Sequence, residues 1–251
     1  MKLFFLGTCS GTEPMPGRHH VAWVLQLHEK LYWFDAGECC SHTAHVLGLN
    51  LQNIRAVFIT HCHQDHVGGL SNLLWTIRKL DKVRPRQDFG PVDVYMPSLA
   101  TWEGTMMTLG ETEGGFAINF PLNAHHAQAG LVFDDGAVVV EALENQHLPP
   151  GKSLSYRIRA ENKTIIFSGD VHALEELEPW FDDCDLLLME TGHHKVEPIC
   201  RTISQTPGVK RLGFIHHGRE ILRDPDAALT LARQFLGDRV FITNDGDSME
   251  L

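Results

Sequence analysis

Apolar residues along the chain fall into short runs, many of them β-branched or aromatic, set off by Gly, Pro, Asn and Asp. Runs of that kind read as strands. They predict strands at Leu3–Leu6, Val21–Leu27, Lys30–Phe34, Ile54–Thr60, Val92–Met96, Val138–Leu143, Ser153–Arg159, Thr164–Ser168, Asp185–Met189, Arg211–Ile215 and Val240–Thr243. Between them the apolar positions recur with helical spacing, predicting helices at Ser41–Leu49, Val67–Leu80, Ser98–Leu109, Ala173–Trp180, Val196–Thr206 and Pro225–Phe235. Ser41 and Ser98 stand where N-caps belong, and Asp224 precedes a proline suited to a first helical position. From Gly110 to Gly136 the periodicity is weak, so that stretch reads as loop with one or two short strands, and His125-His126 within it as part of a lid. Strands interleaved with helices place the chain in the α/β class with layered sheets. No low-complexity tract or Ser/Gly linker marks a boundary, so one domain is expected over residues 1–251.

Several of these strands end in polar residues. Ala56–Ile59 runs through Thr60 into His61, Thr164–Phe167 through Ser168 into Gly169-Asp170, and Leu212–Ile215 into His216-His217. Buried strands that deliver side chains from their C-terminal ends to a common edge are how α/β proteins build sites. The segment from His61 to His66 carries three histidines and one aspartate within six positions. At a strand end, residues i and i+2 share a face, so His61 and His63 converge, while Asp65 and His66 are turned elsewhere as the helix begins. Imidazoles with a carboxylate suit Zn and Fe and also admit Mn. The expected cofactors are therefore divalent metal ions, Zn first.

Composition narrows the partners. With 21 Lys and Arg against 32 Asp and Glu, the formal net charge is -11, which argues against a broad basic face for long nucleic acid. No window approaches the roughly 18 consecutive apolar residues of a membrane helix. The opening residues lack the apolar core of a signal peptide, so a cytoplasmic location is expected. The six cysteines show no CxxC pair and are expected to be reduced.

The His61-Cys62-His63-Gln64-Asp65-His66 segment resembles the H-x-H-x-D-H hallmark of the metallo-β-lactamase-fold hydrolases. Other pieces of that family's pattern follow in order: Phe34-Asp35-Ala36-Gly37, an isolated His147 after Asn145-Gln146, Gly169-Asp170, and His216 at the last strand end. The opening Phe5–Thr12, Asp35–Glu38 and the closing Asn244–Leu251 are similar to the ribonuclease Z branch, which cleaves phosphodiesters. The resemblance implies a four-layer αββα sandwich holding two metals, the first bound by His61, His63 and His147, the second by Asp65, His66 and His216. Asp170 would bridge them. Spacing alone leaves His216 and His217 open; His216 follows the strand directly and is preferred.

Two close metal ions would make a bridging hydroxide available at neutral pH and hold an anionic substrate oxygen, which suits a phosphodiester. The leaving oxygen then needs a proton. Met189–His194 supplies candidates: His194 is preferred over His193 as the acid, with Glu190 as its orienter and Asp65 the further member of the catalytic set. The branch's separate Glu and His segments are fused here into one stretch. His147 and Asp170 stand only 23 positions apart, too few for the tRNA-gripping arm of ribonucleases Z. The chain is therefore similar to arm-less relatives that act on small or cyclic phosphates. The expected function is a metal-dependent phosphodiesterase with a small phosphate-containing substrate, as a monomer or homodimer. Alternatives on the same scaffold are a lactone or thioester hydrolase and, third, a non-hydrolytic iron redox or sensing protein.

Overall fold

The computed structural model describes residues 1–86 and 90–251. By Cα proximity the chain divides into two compact units, each built around one seven-stranded sheet. The first comprises Met1–Gly7, Pro16–Ala127 and Asp245–Leu251; the second comprises Thr8–Met15 and Gln128–Asn244.

In the first unit the strands are β1 (Lys2–Gly7), β2 (Ala22–Leu27), β3 (Lys30–Phe34), β4 (Ile54–Phe58), β5 (Val92–Met96), β6 (Leu122–His126) and, far along the chain, β14 (Ser248–Glu250). They lie in the order β14-β1-β2-β3-β4-β5-β6. Pairing is antiparallel from β14 to β3 and parallel from β3 to β6. The helices are α1 (Cys40–Val46), α2 (Gln64–Val67), α3 (Leu70–Val83) and α4 (Leu99–Gly110). Leu70, Leu73, Leu74 and Ile77 on one stripe of α3 bury against Trp33, Val57 and Val94 of the sheet.

The second unit repeats that plan. Strands β7 (Gly130–Asp134), β8 (Val139–Glu144), β9 (Leu154–Ala160), β10 (Lys163–Phe167), β11 (Leu186–Glu190), β12 (Leu212–Ile215) and β13 (Val240–Ile242) lie in the order β13-β12-β11-β10-β9-β8-β7. Pairing is antiparallel from β7 to β10 and parallel from β10 to β13. Helix α5 (Val196–Ser204) buries Val196, Ile199, Cys200 and Ile203 in the core of this unit, where α6 (Arg219–Arg223) and α7 (Pro225–Leu236) also contribute.

The predicted strands are all present within a residue or two, and the Gly110–Gly136 stretch holds β6 and β7, so His125 and His126 are strand residues rather than a lid. Four readings change. The single helix expected over Val67–Leu80 is two, because Gly68 and Gly69 separate α2 from α3, and a Cβ on Gly69 would stand 2.1 Å from the Gly37 carbonyl oxygen. Ser41 lies inside α1 rather than capping it, and Ser98 occupies the cap position of α4 without a side-chain bond, whereas Asp224 does accept from Ala227 N. Ala173–Trp180 is a 3-10 helix over Leu174–Asp183, with Pro179 inside it denying a backbone donor. Two short elements, β14 and α6, carry no sequence periodicity and were not expected.

Candidate metal centre

The C-terminal ends of the parallel strands carry the chemistry in both units. In the first, β3 runs into Asp35 and β4 into the His61–His66 turn; in the second, β10, β11 and β12 run into Asp170, Glu190 and His216. Asp35 and His216 adopt left-handed backbone (φ 53° and 51°), as does Gly169 (φ 56°) before Asp170. Non-glycine residues held there cost roughly 1–3 kcal/mol and persist where surrounding contacts over-determine them. Around His216 those contacts are Thr191 N to its carbonyl (3.2 Å) and His217 N to Thr8 O (2.7 Å).

The first unit presents two pairs of donor atoms. His61 is fully buried at the strand end, and His63 is the N-cap residue of α2; His61 Nε2 and His63 Nδ1 lie 3.0 Å apart with the rings edge to face. Two nitrogens at about 2.05 Å from one tetrahedral ion are roughly 3.3 Å apart, so this pair has the spacing of co-ligands. The second pair is Asp65 Oδ2 and His66 Nε2, at 3.5 Å. His66 has no freedom to turn: its Nδ1–H donates to Asp35 Oδ2 at 2.7 Å, fixing the tautomer that leaves Nε2 with a lone pair. Asp35 also accepts from Thr60 N (2.7 Å) and Thr60 Oγ1 (2.9 Å). Burial pushes the Asp35 carboxyl up, against the charge and hydrogen bond of His66 and the bonds from Thr60.

The second unit presents two further pairs, and both use Asp170. Its Oδ2 lies 3.6 Å from His147 Nε2 and its Oδ1 3.3 Å from His216 Nδ1. One carboxylate thus sends each oxygen toward a different imidazole, at separations too long for good hydrogen bonds and right for shared ions. Gly192 makes room for this: a Cβ there would stand 2.8 Å from His216 Nδ1. His147 is held by its backbone, since His147 N donates to Asn145 Oδ1 (3.2 Å) and Asn145 Nδ2 to Ser155 Oγ (3.1 Å). Glu176, which sequence reasoning passed over, ties the two ligand-bearing loops together, accepting from Gln146 N (2.6 Å) and Ala173 N (2.7 Å). Nothing in its sequence neighbourhood distinguishes it from Glu175 or Glu178.

The remaining candidates sort by geometry. Glu190 is fully buried and accepts from His193 N (2.9 Å) and His193 Nδ1 (3.0 Å). Burial pushes its carboxyl up, but the bonds and charges of His193 and His216 outweigh that and hold it well below the usual carboxylate range. In return the Glu190 bond raises the His193 imidazole above its ordinary value, against partial burial. His193 lies beside the donor set, its ring 4.9 Å from that of His147 and 6.0 Å from that of His216. His194 instead donates Nε2–H to the Val171 carbonyl at 3.0 Å, with Glu190 Oε1 3.5 Å away. His217 is likewise turned aside, with Nε2 on the Thr243 carbonyl at 2.8 Å. The donor set of imidazoles and carboxylates fits divalent cations of the Zn, Mn or Fe kind.

Known structures share this architecture. The human tRNase Z short form aligns with a TM-score of 0.74 at 22% identity, covering 100% of this chain and 99% of that one. The metallo-β-lactamase fold protein YhfI from Bacillus subtilis aligns with a TM-score of 0.75 at 17% identity over 99% and 98%. A ribonuclease Z from Synechococcus sp. (strain CC9311) is 32% identical over 187 residues, which is 71% of this chain and 54% of that relative. The chain thus spans about half the length of that relative. Fold places the chain in the metallo-β-lactamase-fold class, and its sequence is similar to that of ribonucleases Z. Within it, a family model matches residues 1–199, and the chain belongs to that family, described as Anti-Pycsar protein Apyc1.

Proposed function

We propose that residues 1–251 act as one hydrolase domain, a metal-dependent phosphodiesterase of the cytoplasm that cleaves a small or cyclic phosphodiester. A cyclic nucleotide is the class that the family's description favours. The observation that carries the reading is Asp170, whose two oxygens face His147 and His216 separately. In this reading His61, His63 and His147 hold one cation, Asp65, His66 and His216 a second, and Asp170 belongs to both. Two such cations, when bound, supply Lewis acidity and make hydroxide available at neutral pH.

The chain's own residues do the rest. Asp35 keeps the His66 proton on Nδ1, away from the ligating nitrogen. Glu190 plays the same part for His193, whose Nδ1 it holds, so that a proton taken up at Nε2 can pass to the leaving oxygen. We assign the acid to His193 rather than to His194, because His194 commits its Nε2 proton to the Val171 carbonyl. The segment between His147 and Asp170 bears on substrate size. It is taken up by β9 and β10, an antiparallel hairpin turned by Glu161 and Asn162 with φ of 50° and 60°. A tRNA-gripping arm has no length of chain to come from there.

The test is elemental analysis of the purified protein, with bis(p-nitrophenyl) phosphate turnover followed before and after chelation. About two equivalents of Zn, Mn or Fe with chelator-sensitive turnover, and hydrolysis of a cyclic nucleotide but not of a precursor tRNA, is the expected result. Metal without phosphodiester turnover overturns the phosphodiesterase assignment, and failure to retain metal after reconstitution overturns the ligand set.

A further inference from the structure

The first unit's sheet carries a row of aromatic rings across its strands. Trp23 of β2 stacks on Phe34 of β3 (centroids 4.3 Å, planes 12° apart), Phe34 on Phe58 of β4 (5.0 Å, 20°), Phe58 on Tyr95 of β5 (5.2 Å, 12°) and Tyr95 on His125 of β6 (4.5 Å, 15°). The spacing follows from the sheet itself, because neighbouring strands lie about 4.8 Å apart and ring-bearing residues in register stack at that interval. The row ends at His125 because β6 is the edge strand. The side chain of His125 remains 42% exposed although one face of its ring is covered by Tyr95.

That exposed ring is held unusually well. His125 Nε2 lies 3.0 Å from Asp93 Oδ1, and Asp93 is itself buried, taking an ion pair from Arg55 and a 2.9 Å bond from Asn123 Nδ2. A buried carboxylate with an arginine partner costs desolvation that a surface imidazole does not require. Its effect here is to fix the plane of His125 parallel to the row, with the outer face toward the place where one more strand beyond β6 would set the next ring.

We propose that this face is a stacking subsite for the nucleobase of a small nucleotide, the base occupying the next position of the row. A purine has the planar π-face the position calls for, and stacking on a protein ring needs no base-specific hydrogen bond, so the subsite discriminates bases weakly. The register of β4, β5 and β6 puts His125 opposite Tyr95 and Phe58, three residues before His61. Strand spacing and rise then give roughly 14 Å between the Cα atoms of His125 and His61, which suits a ligand whose phosphate lies at the His61 turn. The subsite rests on the nucleotide reading above for its choice of ligand.

The experiment is calorimetric titration of the full chain with 5′-AMP, which contains no phosphodiester, and with ribose 5-phosphate, which has no base. His125→Ala should weaken 5′-AMP by roughly tenfold, about 1.4 kcal/mol. His125→Phe should keep it within about twofold, and ribose 5-phosphate should bind the same to all three proteins. Absence of saturable 5′-AMP binding to the unaltered protein overturns the subsite, as does unchanged affinity in His125→Ala or equal loss in both variants. Because binding is read without hydrolysis, a protein that hydrolyses no phosphodiester yet binds 5′-AMP through this ring would sink the phosphodiesterase reading and leave the subsite standing.

Discussion

Replacing Asp35 separates two jobs that its carboxylate performs at once. It is fully buried, accepts from the amide and hydroxyl of Thr60 and from His66 Nδ1, and sits at φ 53°. Asp35→Ala leaves at least two buried donors without acceptors, at about 1–3 kcal/mol each. A Cβ-bearing residue that lacks a local hydrogen bond in left-handed backbone adds roughly 1–2 kcal/mol. Together these come to roughly 3–8 kcal/mol, and at about 2–4 °C per kcal/mol for a chain of this size the melting temperature should fall by at least roughly 6 °C. Asp35→Asn is different. Asparagine tolerates the backbone, and its oxygen can still accept from Thr60, so stability should fall by only about 1–2 kcal/mol. Its amide, however, meets His66 Nδ1 with a donor, which drives the imidazole proton to Nε2, the atom beside Asp65 Oδ2. Metal affinity should then drop by about 10–100-fold. Thermal denaturation of the metal-free proteins reads the first effect, and competition for metal against a chromophoric chelator reads the second. Asp35→Asn binding metal as tightly as the unaltered chain would refute the tautomer argument.

Three further outcomes follow from the geometry. His193→Ala should lower kcat by about 10²–10⁴ for a phosphodiester with an alkyl leaving group and far less for a p-nitrophenolate leaving group, with His194→Ala milder on both; the reverse ranking would return the acid to His194. Gly69→Ala forces a Cβ against the Gly37 carbonyl and should cost about 1–3 kcal/mol or more, read as a lowered urea midpoint with an unchanged slope. Burial pushes the Asp93 carboxyl up, but hydrogen bonds from Arg55, Asn123 and His125 bring it below the usual range. A depressed carboxylate stabilises the folded state above its unfolded value near 3.8 and loses that contribution as pH falls through the folded value. The melting temperatures of the unaltered chain and Asp93→Asn should therefore diverge at neutral pH and approach one another below about pH 4; a constant gap down to pH 2 would contradict this.

How much the sequence discloses depends on how local the cause is. The strands around His61, Asp170 and His216 are legible because each is a buried apolar run broken by a ligand-type residue, and the expected α/β class is found. The turn from His61 to His66 is legible because its spacing is set by one strand end and one helix start. What is not legible is set by partners distant in sequence. Asp35 matches a pattern, but its bond to His66 spans 31 residues. His193 and His194 are neighbours with the same side chain, and only the Glu190 and Val171 positions tell them apart. The ring row draws one residue from each of five strands, so no window of sequence contains it. The helical spacing over Ala173–Trp180 hides the 3-10 geometry found there, and Ser248–Glu250 is too short and polar to announce a strand.

That last strand bears on how the chain is made. β14 pairs with β1 through Lys2 and Glu250, so β1 obtains its outer neighbour only when position 250 has emerged. Until then β1 presents an open row of amides and carbonyls along one side, the kind of edge that recruits strands from other molecules. Synthesis at about 5–20 residues per second leaves that edge exposed for roughly 12–50 seconds. The whole of the second unit is translated within that interval, so it can collapse around its own core while the first is still waiting for a closing strand. Slow translation, or a pause before position 250, should therefore yield a nascent protein with one finished sheet and one adhesive one.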